Sequence, residues 1–243
     1  MESYFVVGDI HGKAGMLEEL MTHWDGQSQL VFLGDLIDRG EDSRKVIELV
    51  KDVVEQQGAI CLSGNHEYMF LAWIDNPTER YDHYQRNGGD TTINSLRGRP
   101  LTDPVDGVED ARRVQETCGD LVAFIRSLPF VYETEHYIFV HAGLDLTLPD
   151  WHETTDYQKV WIRQPFHEAA NQTGKTIVFG HTPVHYLLDQ KIGTKELWVT
   201  EDGKIGMDGG AVYGGVLHGI LFDESGMKAD AALVNDGFAA IDD

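Results

Sequence analysis

Residues 30–40 read LVFLGDLIDRG. Leu30 to Leu33 form an unbroken apolar run suited to a strand buried on both faces. At its carboxyl end the chain turns abruptly to Asp35, Asp38 and Arg39. The same change recurs in YFVVGDIHG (4–12), AICLSGNHE (59–67), YIFVHAG (137–143) and TIVFGHT (176–182). Each junction sets Asp, Asn or His just beyond a strand. Open α/β sheets gather their ligands at such strand ends, so the five junctions describe one convergent site.

Outward from residue 30 the pattern alternates. A helix over about Lys13–His23 puts Met16, Leu17 and Leu20 on one face, and a second over Asp42–Gln57 carries Val46, Ile47, Leu49, Val50 and Val53. A third opens near Glu67 with Met69, Phe70, Leu71 and Trp73. This is a βαβαβ unit, for which parallel strands and right-handed crossovers are expected. Residues 75–120 are polar and punctuated by Asn76-Pro77, Gly88-Gly89 and Arg99-Pro100, which suggests a helical excursion beside the site. Gly119 and Asp120 separate it from a short helix over 121–128. Beyond Pro129 strands are expected at 130–134, 136–140, 176–180, 196–200, 204–207 and 215–222, with Glu201-Asp202-Gly203 as a hairpin turn. The tail from Gly226 holds Leu233, Val234 and Phe238 and is expected to add a strand or pack loosely. With no repeat and no dividing linker, residues 1–243 read as a single domain.

The chain carries 19 basic and 41 acidic residues, a formal charge of −22. That balance disfavours nucleic acid as a partner. No segment approaches the ~20 apolar residues of a membrane span, so no membrane partner is expected. Met1-Glu2-Ser3 leads straight into a strand without a signal-peptide pattern. Cys61, in an apolar run, reads as a reduced core thiol, and with Cys118 it makes no disulfide framework. A cytoplasmic protein, monomeric or weakly oligomeric, is the resulting expectation.

The chemistry lies in the junctions. Asp9 and His11 stand two residues apart and share a face if the strand pitch persists. With Asp35, Asn65, His141 and His181 they form a candidate ligand set. Six mixed nitrogen and oxygen donors suit two borderline divalent ions such as manganese, iron or zinc, rather than an all-oxygen calcium cage. No thiolate joins them, which disfavours structural zinc. In two-metal sites ~3.5–4 Å across, one carboxylate should bridge the ions. Asp35 is the natural bridge, because its strand lies between the others in chain order. A lone histidine after a strand is usually an ordinary packing or surface residue. Concurrence at five equivalent places argues otherwise. His23, His83, His136, His152, His167, His185 and His218 lack that position and read as packing or surface residues.

Together the segments GDIHG (8–12), GDLIDRG (34–40), GNHE (64–67), HAG (141–143) and GHT (180–182) resemble the phosphoprotein-phosphatase family of dinuclear metallophosphoesterases. DGGAVYGG (208–215) extends the likeness to about residue 220. The chain looks most like the compact bacterial and phage members. The resemblance implies an α/β metallophosphoesterase (calcineurin-like) fold, a four-layer α-β-β-α sandwich. It implies that Asp9, His11 and Asp35 hold one ion, while Asp35, Asn65, His141 and His181 hold the other, with manganese as the usual activating ion. His66 would be the general acid, oriented by Asp38. Arg39 and Arg163 would clamp phosphate oxygens, which the planar guanidinium fork suits. Tyr213, placed like the substrate-side tyrosine of eukaryotic relatives, reads as a contact to phosphate or leaving group or as a packing aromatic. From the residues alone, Asn87-Gly-Gly89-Asp90 reads as backbone close to substrate or as an ordinary glycine turn.

The implied reaction is hydrolysis of phosphoserine or phosphothreonine in proteins or peptides, with phosphotyrosine as a further substrate, by direct attack of a metal-bridging hydroxide. The rival is a symmetrical dinucleoside-tetraphosphate hydrolase, which shares most of these motifs. Relatives of that kind typically carry a small residue at the place of Asp38 and Asp at that of Glu67, so both positions favour the phosphomonoesterase. A third reading, a non-catalytic metal-dependent binding module, would predict loss of His66, Asp38 or an arginine. All are present.

Overall fold

The computed structural model describes residues 2–234, and Phe238 of the expected tail lies outside them. Strands β1 (Ser3–Val7), β2 (Gln29–Phe32) and β3 (Ile60–Cys61) run parallel, joined by helices α1 (Ala14–Met21) and α2 (Ser43–Gln57). Asp42 caps α2 by accepting the Lys45 N–H at 3.2 Å, and Gly58, at φ +70°, ends it in the left-handed conformation that glycine adopts freely. Then come five helices: α3 (Asn65–Asp75), α4 (Pro77–Arg86), α5 (Gly89–Arg97), α6 (Gly107–Thr117) and α7 (Gly119–Ser127). The polar stretch 75–120 is thus largely helical, and it buries Tyr84, Ile93, Leu96, Ala111 and Val114 against the rest of the molecule. Gly119 and Asp120 do not separate two elements. They form the first turn of α7, and Cys118 alone divides it from α6.

The second half supplies β4 (Val131–Glu133), β5 (Tyr137–Val140), α8 (Asp156–Trp161), α9 (Gln164–Glu168), β6 (Thr176–Phe179) and α10 (Val184–Leu187). It continues with β7 (Trp198–Val199), β8 (Lys204–Gly206), β9 (Val216–Asp223) and β10 (Gly226–Val234). Two five-stranded sheets result, ordered β10-β9-β1-β2-β3 and β4-β5-β6-β8-β7. In the second, β5, β6 and β8 are parallel, and β4 and β7 close the edges antiparallel.

Alternation along the strands explains their apolar runs. Phe5 and Val7 of β1, with Leu30 and Phe32 of β2, face the cluster shared with α1 to α7. Tyr4, Val6 and Val31 face the other way, meeting Tyr137, Phe139 and Val178 between the two sheets. Ile138, Val140, Ile177 and Phe179 then face a third cluster that includes Phe166 of α9. Both faces of β1, β2, β5 and β6 are buried, so no polar residue interrupts the runs 5–7, 30–32, 138–140 and 177–179. Helix, sheet, sheet and helix make the four layers expected for the sandwich. Among the described residues no helix is long and apolar enough to cross a membrane.

Lys204 of β8 is 2 % exposed, and its ammonium donates to the carbonyls of Phe166 (3.3 Å), His167 (3.0 Å) and Ala169 (2.6 Å). These are unpaired carbonyls at the C-terminal end of α9, where positive charge is favourable. The ammonium also stands 5.7 Å and 5.8 Å from the ring centres of Phe166 and Trp198. Lys204→Met keeps the stem and leaves three acceptors short of a donor. Chemical denaturation should show a loss of about 2–4 kcal/mol; an unchanged unfolding midpoint would contradict this account.

Candidate metal centre

Six described residues other than glycine have positive φ: His11 (+46°), Asp35 (+50°), Asp38 (+73°), Arg39 (+68°), His181 (+63°) and Asp189 (+52°). Five of them are candidate site residues. Such conformations cost of order 1–3 kcal/mol each and persist only where the surroundings enforce them. Here the enforcement is visible. The backbone N–H groups of Ile10 and His11 both donate to Asp35 O, at 3.1 and 2.9 Å. Glu67, fully buried on α3, accepts from Asp35 N, Leu36 N and Gly64 N, each at 2.8 Å. Gly64 and Gly180 let the chain pass close to the carboxylates: a Cβ on Gly64 would collide with Asp35 Oδ1, and one on Gly180 with Asp9 Oδ1.

Two buried triads emerge, His11–Asp35–His66 and Asp35–His141–His181. Asp35 belongs to both. Its Oδ2 lies 3.5 Å from His11 Nε2, and its Oδ1 lies 3.4 Å from His141 Nε2. His11 Nδ1–H donates to Ile37 O at 2.8 Å, and His141 Nδ1–H donates to Leu33 O at 2.9 Å. Each ring thereby turns its Nε2 lone pair inward, a tautomer fixed by backbone as in histidine metal ligands. Asn65 Oδ1 lies 3.1 Å from His141 Nε2 and 2.8 Å from His181 Nδ1. His141 Nε2 and Asn65 Oδ1 are then two acceptors facing one another. His181 Nε2 is buried without a partner among the described residues. A converging set of lone pairs with too few donors fits cations, and the two triads fit a dinuclear divalent centre.

Charge supports the same conclusion. Burial, followed by the charges of Asp208 and Asp35, holds Asp9 well above the usual carboxylate range. Asp208 is pushed up to about 6, first by burial. Burial pushes Asp35 the same way, but the surrounding imidazoles of His141, His66, His11 and His181 outweigh it and hold it low. Burial lowers His11, His141 and His181, keeping them neutral as ligands must be. Buried carboxylates thus outnumber nearby fixed cations, an excess that divalent ions would neutralise.

His66, a member of the first triad, is tied by its other nitrogen to Asp38, and the remaining candidates fall around the cluster. His66 Nδ1–H donates to Asp38 Oδ2 at 2.7 Å, and Asp38 Oδ1 accepts from the hydroxyls of Tyr84 and Thr92, both at 2.6 Å. Arg39 Nη1 donates to His11 Nε2 at 2.8 Å, and its guanidinium carbon stands 5.4 Å from the Tyr213 ring centre. Arg163 follows helix α8. It is exposed, and its charge acts on His141, His181 and Asp208. The carboxylate of Asp9 belongs to neither triad and accepts the His181 N–H at 3.0 Å. Asn65 and His66 open α3 rather than ending a strand. Asn87 turns its amide to His83 O at 2.8 Å, while the neighbouring Gly88 carbonyl accepts Arg39 N–H at 3.2 Å.

Sequence reasoning passed over Asp208, Tyr84 and Thr92 as site residues. DGG at 208–210 was a signal for the first. Nothing local marks the other two, which arrive through the packing of α4 and α5. Glu67 was read as a mark of substrate type, yet its carboxylate is fully engaged with backbone. Its task is to hold loops, which any acid of suitable reach performs, so it does not discriminate between substrates.

The calcineurin-like phosphoesterase family matches residues 3–208. A symmetrical bis(5′-nucleosyl)-tetraphosphatase of Ralstonia nicotianae is 26% identical over 196 residues, covering 80% of this chain and 59% of that protein. The asymmetrical bis(5′-nucleosyl)-tetraphosphatase PrpE of Halalkalibacterium halodurans is 24% identical over 252 residues, covering 90% of this chain and 89% of that one. Serine/threonine-protein phosphatase 1 of Salmonella typhimurium is 28% identical over 198 residues, covering 76% and 81%. The chain therefore spans little more than half of the Ralstonia relative. Seven of eight relatives compared are named as bis(5′-nucleosyl)-tetraphosphatases, which overturns the expectation of a phosphorylated protein or peptide partner.

The collision at Gly180 generates a direct test. Gly180→Ala should displace the Asp9 carboxylate and weaken manganese binding about 10- to 100-fold, the loss typical of a disturbed metal environment. Calorimetric titration with manganese, with circular dichroism to verify folding, measures it. Unaltered affinity in the folded variant would separate Asp9 from the metal centre.

Proposed function

We propose that this chain, which belongs to the calcineurin-like phosphoesterase family, is a metal-dependent hydrolase of dinucleoside tetraphosphates. The observation that carries the reading is the pair of triads sharing Asp35, taken with the nucleotide-acting relatives. Two divalent ions bound there, manganese by preference, would supply positive charge to the phosphoryl oxygens and lower the pKa of water. His11 and Asp35 of the first triad, with Asp9 in place of His66, would hold one ion, leaving His66 for proton transfer, and Asp35, Asn65, His141 and His181 would hold the other.

The protein's own groups complete the chemistry. Arg39 and Arg163 offer planar cations that match pairs of phosphate oxygens. Local positive charge matters because the chain as a whole, at −22, repels a polyphosphate. Asp38 fixes the His66 ring through Nδ1, and Tyr84 and Thr92 fix Asp38. His66 Nε2 is left to carry a proton to the departing oxygen. In a tetraphosphate that oxygen belongs to a phosphate chain, which departs as a stable anion. Proton donation then contributes less than it does for an alkyl ester.

Cleavage in the middle gives two nucleoside diphosphates, and cleavage off-centre gives a monophosphate and a triphosphate. Off-centre cleavage is the second reading, favoured by the near full-length match to the asymmetrical relative. Anion-exchange chromatography of products from diadenosine tetraphosphate, with defined manganese loading, separates the two. An intact tetraphosphate in the presence of metal-loaded protein would defeat both.

For His66→Asn we expect a loss of about 10-fold or less with the tetraphosphate, against about 10²–10⁴-fold with an alkyl phosphomonoester. Single-turnover rates with both substrates measure it. Equal losses would remove His66 from the role of general acid.

A further inference from the structure

Beside the metal centre, α3 and α8 border a groove of about 640 Å³, lined by Tyr68, Asp75, Arg80, Phe130, Tyr157 and Trp161. That volume lies in the range of small-molecule sites, ~300–1,000 Å³. We propose that the groove is a nucleoside subsite in which a base of the substrate stacks on Tyr157 and its neighbouring rings. The assignment rests on the nucleotide reading of the centre and adds to it a place for the base.

A ring contact links the groove to the chemistry. The Trp161 ring meets the His181 ring edge-on, with centres 6.0 Å apart. Tyr157 lies 6.1 Å from Trp161, and Tyr68 lies 6.1 Å from Tyr157. A line of rings therefore runs from the second triad outward. A phosphoryl group held at His181 would leave its nucleoside to extend along that line. Tyr157 is 58% exposed and Tyr68 38%, so both rings offer surface that packing does not use. Stacking tolerates any base, since every base presents a π-face. Arg80 is exposed, and among the described residues its guanidinium has no ion-pair partner. The net charge of −22 argues against an anionic membrane as the occupant of these aromatic residues.

Calorimetric binding of adenosine 5′-monophosphate and ribose 5-phosphate to the manganese-loaded protein tests the subsite, because the two ligands differ only by the base. The unmodified protein should prefer the nucleotide by about 5- to 100-fold, the span of one base stacked on an aromatic ring. Tyr157→Ala combined with Tyr68→Ala should bring the ratio close to one, while Tyr157→Phe should preserve it. Equal binding by the unmodified protein, or a preference that survives in the double variant, would overturn the subsite. Cleavage of diadenosine tetraphosphate is scored separately. Cleavage without base preference would remove the groove alone. Base preference without cleavage would support the groove and remove the hydrolase reading.

Discussion

The carboxylate of Glu67 accepts three backbone N–H groups from two separate loops, and the geometry of the centre hangs on that interaction. Asp35 and Leu36 lie beyond β2, and Gly64 lies at the start of α3. Tying them together sets the strand end against the helix N-terminus and holds Asp35 in its left-handed conformation. It also places Asn65 and His66 at the head of a helix. Three N–H groups favour the charged carboxylate, while burial and the nearby Asp35 push Glu67 up to about 8. The opposition shows how tightly packed with negative charge this region is. An isolated buried acid would be strongly destabilising. Here each oxygen has a donor, and the centre it supports gathers further compensation.

That compensation is local and contrasts with the surface. The chain carries a large net negative charge, yet Arg39 and Arg163 both act on the small volume where Asp9, Asp35 and Asp208 meet. Buried charges interact far more strongly than exposed ones, since water screens them less. Only with divalent ions added to these arginines would a polyphosphate meet an attractive place on an overall repulsive protein. Strain follows the same map. Positive φ angles cluster at the centre because its loops must aim side chains inward over a short span.

The same machinery serves esters and anhydrides. Phosphoryl recognition by arginines and metal ligands is indifferent to what hangs on the far side of phosphorus. Asp38 orients His66 in either case, so its presence says little about the leaving group. Discrimination falls to the surroundings, and here the flank beside His181 is aromatic. An enzyme for polyphosphates needs less acid catalysis and more purchase on nucleosides, and this flank is suited to the second demand.

Much of this was legible in the chain. Apolar runs ending in Asp, Asn or His marked β1, β2, β3, β5 and β6, because a strand buried on both faces admits no polar residue until it ends. Those endings also identified His11, Asp35, His141 and His181, which the structure brings into the two triads, and Asn65, which joins His141 and His181. Less legible were the helices in 75–120, whose polar outer faces mask their buried Tyr84, Ile93 and Val114. The hydroxyls of Tyr84 and Thr92 on Asp38 come from α4 and α5, about fifty residues away in sequence, and no periodicity carries such a contact. What the sequence determined by itself was the donor chemistry and its recurrence at strand ends, since residue type and spacing are properties of the chain. Only the tertiary structure decided that Asp35 is shared by both triads, that Glu67 holds loops, and that aromatic rings line one approach. Those are facts of distance between segments, and distance is settled by packing.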